Sequence, residues 1–152
     1  MCKLDVVEKF VSINGEGTKA GQLAVFIRFK GCNLACEYCD TQWANQADAP
    51  AQQMTAGEIV DYVISTGVKN VTLTGGEPLL RDGIEDVIAQ LADHMLNVEI
   101  ETNGSISLKK ICDLQKENVT FTMDYKLSCS GMEAAMNLDN FDILNSHDTV
   151  KF

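Results

Sequence analysis

The chain has 152 residues, of which 45% are hydrophobic and 22% are charged. This composition supplies a hydrophobic core and excludes a disordered tail or a fibrous repeat. The net charge of -10 argues against a partner bound mainly through a phosphate backbone, so we expect no nucleic-acid partner. An acidic surface that only keeps the protein in solution explains the same charge.

The longest apolar run, LAVFIRF at residues 23–29, is interrupted by Arg28 and is far shorter than the roughly 20 residues of a membrane-spanning helix. The first residues, MCKLDVVEKF, lack the basic and apolar regions of a secretion signal. We therefore expect a cytoplasmic protein with no membrane partner. Cytosolic thiols are kept reduced, so the six cysteines are expected to bind metal, do chemistry or stay free.

Strand-like and helix-like patterns alternate along the chain. Strands are predicted at residues 7–13, 23–29, 70–74, 97–101, 119–125 and from 149 onward. Helices are predicted at residues 55–66, 82–96, 107–117 and 131–147. Thr55 and Glu58 have the spacing of a capping box at the start of the first helix. The alternation predicts an α/β fold with a parallel sheet.

Four chemically suggestive loops directly follow predicted strands. They are residues 32–39, GGEP at 75–78, TNG at 102–104, and the segment that contains Lys126 and Ser128. Functional residues of parallel sheets gather beyond the carboxyl ends of the strands. We therefore expect all four loops to open on one rim of the sheet.

Cys32, Cys36 and Cys39 form a CxxxCxxC triplet on one predicted loop. A structural zinc site needs four protein ligands, commonly as two CxxC-like pairs. A four-iron cluster held by only three thiolates keeps one iron open for a small molecule. Among the other cysteines, only Cys129 lies near a rim loop. The triplet favours a cluster with an open iron, and Cys129 as a fourth ligand is the alternative.

The triplet, with the aromatic Tyr38 directly before its last cysteine, resembles the signature of the radical S-adenosylmethionine (SAM) enzymes. The resemblance implies that the three cysteines hold a 4Fe-4S cluster, and that the amino and carboxylate groups of SAM bind the fourth iron. It also implies a partial (β/α) barrel, with residues 1–152 as a single radical SAM domain. Because the chain stops at the start of a strand pattern, TVKF, we expect this barrel to be incomplete at its C-terminal end. A truncated chain and a natural short form both stay open.

TGGEP at residues 74–78 ends a predicted strand, and alone it is ordinary turn chemistry. The resemblance assigns it to the methionine part of SAM, with glycines that admit a close ligand and a Glu77 carboxylate for an ammonium group. The cofactor-binding residues that the resemblance implies are Tyr38, Cys39, Asp40, Gly75, Gly76, Glu77, Asn103, Asp124, Tyr125 and Lys126.

INGEG at residues 13–17 resembles the IQGEG segment of the 7-carboxy-7-deazaguanine synthase family, with Asn14 in place of Gln. CDT at residues 39–41 resembles the segment whose threonine binds magnesium in that family, so Thr41 is the expected magnesium ligand. ETNG at 101–104 and DYKLSCSGME at 124–133 resemble its later loops. The implied substrate-binding residues are Ile13, Asn14, Gly15, Glu16, Arg28 and Thr74.

Three of these residues also have simpler explanations. Glu16 between two glycines fits a solvated turn, and Thr41 fits a residue that caps the turn after the cysteines. Arg28 interrupts an apolar strand, where a charge is costly unless it is paired. It therefore faces either the rim or the solvent, and the resemblance assigns it to the substrate carboxylate.

The resemblance implies a lyase of queuosine biosynthesis that converts 6-carboxy-5,6,7,8-tetrahydropterin to 7-carboxy-7-deazaguanine with loss of ammonia. A radical from SAM starts the reaction, so no protein acid or base is expected as the catalytic group. Magnesium is the third expected cofactor, and an electron donor such as flavodoxin or ferredoxin is an expected partner. A homodimer is one expected assembly.

Three alternatives stay open. One is another radical SAM enzyme, such as an activase that forms a glycyl radical on a partner protein. The others are an electron-transfer iron-sulfur protein, which needs a fourth cluster ligand, and a zinc-stabilised binding module.

Overall fold

Seven strands form one mixed sheet in the computed structural model, which describes residues 2–152. The strands are β1 (Leu4–Ile13), β2 (Leu23–Phe29), β3 (Gln52–Met54), β4 (Asn70–Gly75), β5 (Asn97–Thr102), β6 (Val119–Asp124) and β7 (Thr149–Lys151). Their order across the sheet is β3-β1-β2-β4-β5-β6-β7, so the sheet does not close on itself within the described residues. An open sheet agrees with the predicted partial barrel.

Five neighbouring strands, β2, β4, β5, β6 and β7, run parallel as the alternating pattern predicts. The prediction of a wholly parallel sheet is wrong at one edge, because β1 pairs antiparallel with both β2 and β3. Only residues 14–22 connect β1 to β2, whereas a parallel pair needs a longer crossover. The short strand β3 was not predicted.

Three α-helices accompany the sheet: α1 (Ala56–Thr66), α2 (Ile84–Asp93) and α3 (Lys109–Cys112). The capping box of α1 is confirmed, since Glu58 N donates to Thr55 Oγ1 at 3.3 Å and Thr55 N donates to Glu58 Oε2 at 2.8 Å. Gly67 ends the same helix in the left-handed conformation, with φ of 72°. None of the helices in residues 2–152 is long and apolar enough to span a membrane.

The predicted helix at residues 131–147 is wrong, and the one at 107–117 shrinks to the single turn of α3. Residues 131–147 instead contain two short 3-10 turns, Glu133–Ala135 and Leu138–Asp142. The buried Asn140 amide donates to Gly104 O at 3.1 Å and to Ile106 O at 2.9 Å, which fixes the segment against the loop after β5. Asparagine side chains that bond to backbone groups in this way compete with helix formation.

The two faces of the sheet differ in chemistry. Alternate residues such as Ile27, Leu73 and Ile100 belong to the same buried apolar cluster as the residues of α1 and α2. The intervening residues of β4 and β5, including Thr72 and Glu99, are buried and polar. Since side chains alternate along a strand, one face packs on the helices and the opposite, inner face carries polar groups.

Candidate functional site

A cavity of about 330 Å³ lies where the parallel strands end. Its wall contains the cysteine loop after β2, the glycines at the end of β4, Asn103 after β5, and Lys126 after β6. Carboxyl ends of parallel strands meet at the same edge of a sheet. The predicted convergence of four loops on one rim is therefore confirmed.

Most of the site residues predicted from sequence line this cavity. They are Glu16, Arg28, Cys32, Cys36, Tyr38, Cys39, Asp40, Thr41, Thr74, Gly75, Gly76, Asn103, Asp124 and Lys126. Five predicted residues do not line it: Ile13, Asn14, Gly15, Glu77 and Tyr125. Six lining residues were not predicted as site residues: Leu34, Asn45, Glu101, Thr102, Thr122 and Lys151.

The three thiols of the triplet face this cavity and are free. Cys32 Sγ accepts hydrogen bonds from Leu34 N at 3.4 Å and from Asn103 Nδ2 at 3.5 Å. Burial raises the pKa of the Cys36 thiol; the positive charge of Lys126 opposes this, while Cys32 and Cys39 add to it. Cys129, by contrast, is exposed and does not line the cavity.

The thiols fit a multi-iron cluster better than a single ion. In residues 2–152 no three His, Cys, Asp or Glu side chains are arranged to hold one metal ion. In a cubane cluster each cysteine binds a different iron, so thiols spread around one cavity suit it. N–H donors directed at a cysteine sulfur are also a regular feature around iron-sulfur clusters.

Gly75 and Gly76 bring the loop after β4 directly against the loop after β2. A Cβ atom on Gly76 would overlap the carbonyl group of Gly31, and one on Gly75 would overlap the Phe29 backbone. Gly76 N donates to Phe29 O at 3.2 Å, and Glu77 N donates to Gly31 O at 3.0 Å. The glycines therefore fix the cysteine loop to the end of β4, besides lining the cavity.

Glu77 takes a different place from the one predicted for it. Its side chain is fully buried beneath the cavity wall, where the carboxylate accepts from Asn103 N at 2.7 Å, Leu79 N at 3.0 Å and Thr102 Oγ1 at 3.0 Å. Burial raises the pKa of this carboxyl against the lowering effect of these hydrogen bonds. The structure thus directs the Glu77 carboxylate to the loop after β5 and not into the cavity.

The remaining four predicted residues outside the wall also have defined places. Ile13 is 64% exposed at the end of β1, and Gly15 follows it in the connection to β2. The Tyr125 ring packs against Phe141 at a tilt of 49°, with ring centroids 5.8 Å apart. Asn14 is buried and points to Glu99 instead of the cavity.

Charged side chains on the wall are paired across elements. Arg28 Nε lies 2.9 Å from Glu8 Oε2, so the charge that interrupts β2 faces the cavity with a partner. Glu16 Oε2 lies 2.5 Å from Lys151 Nζ, which joins the loop after β1 to β7. Glu16 is therefore a wall residue, while its side chain is 43% exposed, so a solvated turn also describes it.

A second charged pair lies beside the cysteine loop. Lys126 Nζ lies 2.5 Å from Asp124 Oδ2 and 5.5 Å from the centroid of the Tyr38 ring. Burial alone lowers the pKa of Lys126, but the Asp124 carboxylate outweighs it and the net shift is upward. The Lys126 ammonium is thus held charged beside Tyr38.

Glu101 is a wall residue that sequence reasoning missed, although its segment was singled out. Thr74 Oγ1 donates to Glu101 Oε2 at 2.6 Å. Burial raises the pKa of this carboxyl, the Thr74 bond opposes the shift, and the charges of Glu16 and Glu99 add to it. The alternation of side chains along β5 would have placed Glu101 on the inner face of the sheet. No sequence motif marks Lys151, the other charged wall residue that was not predicted.

Comparison with known proteins identifies the family. Residues 26–126 match the radical SAM superfamily. A 7-carboxy-7-deazaguanine synthase of Clostridium acetobutylicum is 60% identical over 97% of this chain and 66% of its own length. The synthase of Rhodopirellula baltica is 44% identical over 72% of the chain and 42% of its own length. The chain thus spans less than two thirds of either relative.

A third relative is matched over a larger share of its length. The 7-carboxy-7-deazaguanine synthase of Leptospira interrogans is 32% identical over 99% of this chain and 70% of its own length. The crystal structure of QueE from Escherichia coli superposes with a TM-score of 0.62, at 18% identity, over 98% of this chain and 81% of that one, which shows a shared fold. The chain therefore belongs to the radical SAM superfamily and, within it, to the 7-carboxy-7-deazaguanine synthase family.

Proposed function

We propose that the chain carries the active site of a 7-carboxy-7-deazaguanine synthase, with residues 1–152 acting as one radical SAM domain. The proposed reaction converts 6-carboxy-5,6,7,8-tetrahydropterin to 7-carboxy-7-deazaguanine with loss of ammonia. One observation carries the proposal: three cysteines of a single loop share a cavity with Gly75, Gly76 and paired charged side chains.

Radical SAM enzymes use a 4Fe-4S cluster and SAM, and the donor set of the wall fits both. Cys32, Cys36 and Cys39 would hold the cluster. When bound and reduced, the cluster supplies the electron that cleaves SAM to methionine and a 5'-deoxyadenosyl radical. Leu34 N and Asn103 Nδ2 donate to the Cys32 sulfur.

The SAM subsite is proposed on the wall nearest the cysteines. The residues assigned to it are Tyr38, Asp40, Gly75, Gly76, Asn103, Asp124 and Lys126. The Glu77 carboxylate acts indirectly by holding the Asn103 backbone at 2.7 Å. Tyr125 acts in the same indirect way, because it supports the segment after β6 by packing on Phe141.

The pterin subsite is proposed on the adjoining part of the wall, where Glu16, Arg28 and Thr74 lie with the additional residues Glu101 and Lys151. Arg28 keeps guanidinium donors beyond the Nε that Glu8 occupies, and these suit a substrate carboxylate. Thr41 and Asp40 line the cavity with oxygen atoms and would hold magnesium, a cation that prefers oxygen ligands. A bound magnesium would orient the carboxylate.

The partners follow from this chemistry. We propose a flavodoxin or ferredoxin as the electron donor, because the cluster must be reduced for each start of the reaction. A homodimer is proposed as the assembly. We infer a cytoplasmic location, where the six free thiols stay reduced.

The test is an anaerobic reaction of reconstituted protein with reductant, SAM, magnesium and 6-carboxytetrahydropterin, analysed by mass spectrometry. We expect both 7-carboxy-7-deazaguanine and 5'-deoxyadenosine. Formation of 5'-deoxyadenosine without the deazapurine would support a radical SAM site but reject the proposed substrate. Absence of both from a protein with full iron content would reject the proposed function.

A further inference from the structure

Glu99 is a carboxylate inside the sheet that the proposed function leaves without a role. It lies on the inner face of β5, is only 4% exposed and does not line the cavity. Burial of a carboxylate is unfavourable unless hydrogen bonds compensate for the lost hydration. The partners of Glu99 therefore indicate what the buried position serves.

Three side chains surround the Glu99 carboxylate. Thr122 Oγ1 on β6 donates to Oε1 at 2.5 Å, and Thr72 Oγ1 on β4 lies 3.4 Å from Oε2. Asn14, in the connection between β1 and β2, donates through Nδ2 to Oε2. The hydroxyls come from neighbouring strands of the sheet, whereas Asn14 comes from a loop. Glu99 thus joins that loop to three central strands.

The loop continues from Asn14 directly to the cavity wall. Asn14 Oδ1 accepts from Glu16 N at 3.1 Å, so one amide group bonds to Glu99 on one side and to the Glu16 backbone on the other. Gly17 follows with φ of 66°, and a Cβ atom there would overlap the Glu99 carboxylate. The backbone of residues 14–17 therefore rests on Glu99, and the Glu16 side chain extends from it toward Lys151.

We propose that Glu99 is a positioning residue: through the Asn14 amide it holds residues 14–17 so that Glu16 stays at the cavity wall beside Lys151. The inference rests on the proposed function only in taking the pterin as the ligand of that wall. Its effect is expected on substrate affinity, because the segment that it holds carries Glu16 and none of the three cysteines.

The polarity of this network provides a reciprocal test. Glu99→Met removes both acceptors at a similar volume, so Asn14 Nδ2 loses its carboxylate partner. Glu99→Gln alone is milder, because its amide oxygen can face Asn14 Nδ2 while its nitrogen donates to Thr122 Oγ1. Asn14→Asp instead places two carboxylates together. In the double variant, the new carboxylate at position 14 accepts from the new amide at position 99 on one side and from Glu16 N on the other. The network is then restored with its polarity reversed.

We would measure pterin affinity by anaerobic calorimetry with cluster-loaded protein and SAM. Glu99→Met and Asn14→Asp are each expected to bind the pterin about tenfold more weakly than wild type, and the double variant of Asn14→Asp with Glu99→Gln is expected to return to within about threefold. Formation of 5'-deoxyadenosine without pterin is expected to stay within about twofold in Glu99→Met. Glu85→Gln, a charge loss on α2, is the control and is expected to match wild type.

Hydrogen exchange of residues 14–17 in the same proteins gives a second readout that needs no substrate. Faster exchange of the Glu16 amide in Glu99→Met and in Asn14→Asp, with recovery in the double variant, supports the proposal. Unchanged exchange in Glu99→Met, or a double variant that binds the pterin more weakly than Asn14→Asp, would overturn it. If wild type does not bind the pterin, the proposed function fails and exchange alone decides the role of Glu99.

Discussion

Cys32 differs from the other cysteines of the triplet in the number of donors around its sulfur. A backbone N–H and the Asn103 amide both approach it, whereas Cys39 Sγ has a contact only with Thr41 Oγ1, at 3.7 Å. Donors around a thiolate ligand shift the reduction potential of an iron-sulfur cluster. Because Asn103 comes from the loop after β5, one side chain links that loop to the sulfur of Cys32.

At the scale of single residues, Cys36→Ala is expected to lower bound iron and to abolish the cleavage of SAM, because only two thiols then remain on the wall. The measurement is iron content after anaerobic reconstitution, together with 5'-deoxyadenosine formation. Cys129→Ala is the matched control, since Cys129 is exposed and lies outside the wall. Loss of the cluster in Cys129→Ala would instead favour a four-thiolate, electron-transfer protein.

Glu101→Gln is expected to make stability less dependent on pH. Burial raises the pKa of Glu101, so the folded state favours the protonated carboxyl, and stability decreases as pH rises through the folded-state pKa. The variant should therefore unfold about 2–5 °C higher than wild type near pH 7, and this difference in unfolding temperature should vanish below about pH 4. Thermal unfolding from pH 3.5 to pH 8 checks this.

Glu117→Gln serves as the control for the Glu101 experiment, because it makes the same chemical change on the exposed surface. A difference between Glu101→Gln and wild type that does not change with pH would contradict the burial argument. The ligand-free protein is used for both variants, so that substrate binding does not enter the comparison.

At the scale of elements, the end of β4 and the end of β2 are held together backbone to backbone. Gly76→Ala should push the two loops apart, because the new methyl group overlaps the Gly31 carbonyl. We expect a loss of about 2 kcal/mol in the free energy of unfolding and weaker SAM binding. Denaturant titration and calorimetry with SAM measure the two effects.

Gly57→Ala in α1 is the matched control for Gly76→Ala, because nothing lies within 4 Å of a Cβ atom at that position. The same chemical change should there raise the free energy of unfolding by about 0.5–1 kcal/mol, since alanine favours a helix. Equal effects at both glycines would show that the loop contact does not depend on a missing side chain.

Elements could be predicted from sequence where a local pattern determines them. The capping residues Thr55 and Glu58 marked the start of α1, and the β-branched run at 70–74 marked β4. The segment 131–147 was misjudged because Asn140 finds its partners, Gly104 and Ile106, far away in the chain. Helical periodicity cannot reveal such a long-range hydrogen bond.

At the scale of the whole molecule, one ion pair bridges the open side of the sheet. Lys151 on β7 and Glu16 after β1 belong to opposite halves of the strand order, and their side chains are 33% and 43% exposed. Exposed pairs contribute less than about 1 kcal/mol to folding. We infer that this pair shapes the wall more than it stabilises the fold.

Lys151→Met should therefore change the free energy of unfolding by less than about 1 kcal/mol while weakening pterin binding by about five- to tenfold. The loss should shrink in 0.5 M salt, where surface charges are screened. Lys116→Met is the control, because Lys116 pairs with Asp93 and neither residue lines the cavity. A large drop in the free energy of unfolding with unchanged pterin affinity would instead show that the pair stabilises the fold more than it shapes the wall.

The cavity wall was predictable where motifs mark it and unpredictable where topology supplies it. The cysteines and glycines stand in recognisable short segments, and all five of them line the cavity. Lys151 reaches the wall only because β7 pairs parallel with β6. No local sequence pattern predicts this strand pairing. The burial of Glu77 was unpredictable for a related reason, since its partners, Thr102 at the end of β5 and Asn103 directly after it, are distant in the sequence.

The two faces of the sheet should accept substitutions by different rules. On the face that packs on α1 and α2, residues such as Leu73 and Ile100 need only shape and volume, so exchanges among aliphatic side chains should be frequent among relatives. On the inner face, Thr72, Glu99 and Thr122 are bound to one another through hydrogen bonds of fixed direction. Their changes should occur in concert, and a library that varies them one at a time should return few active sequences.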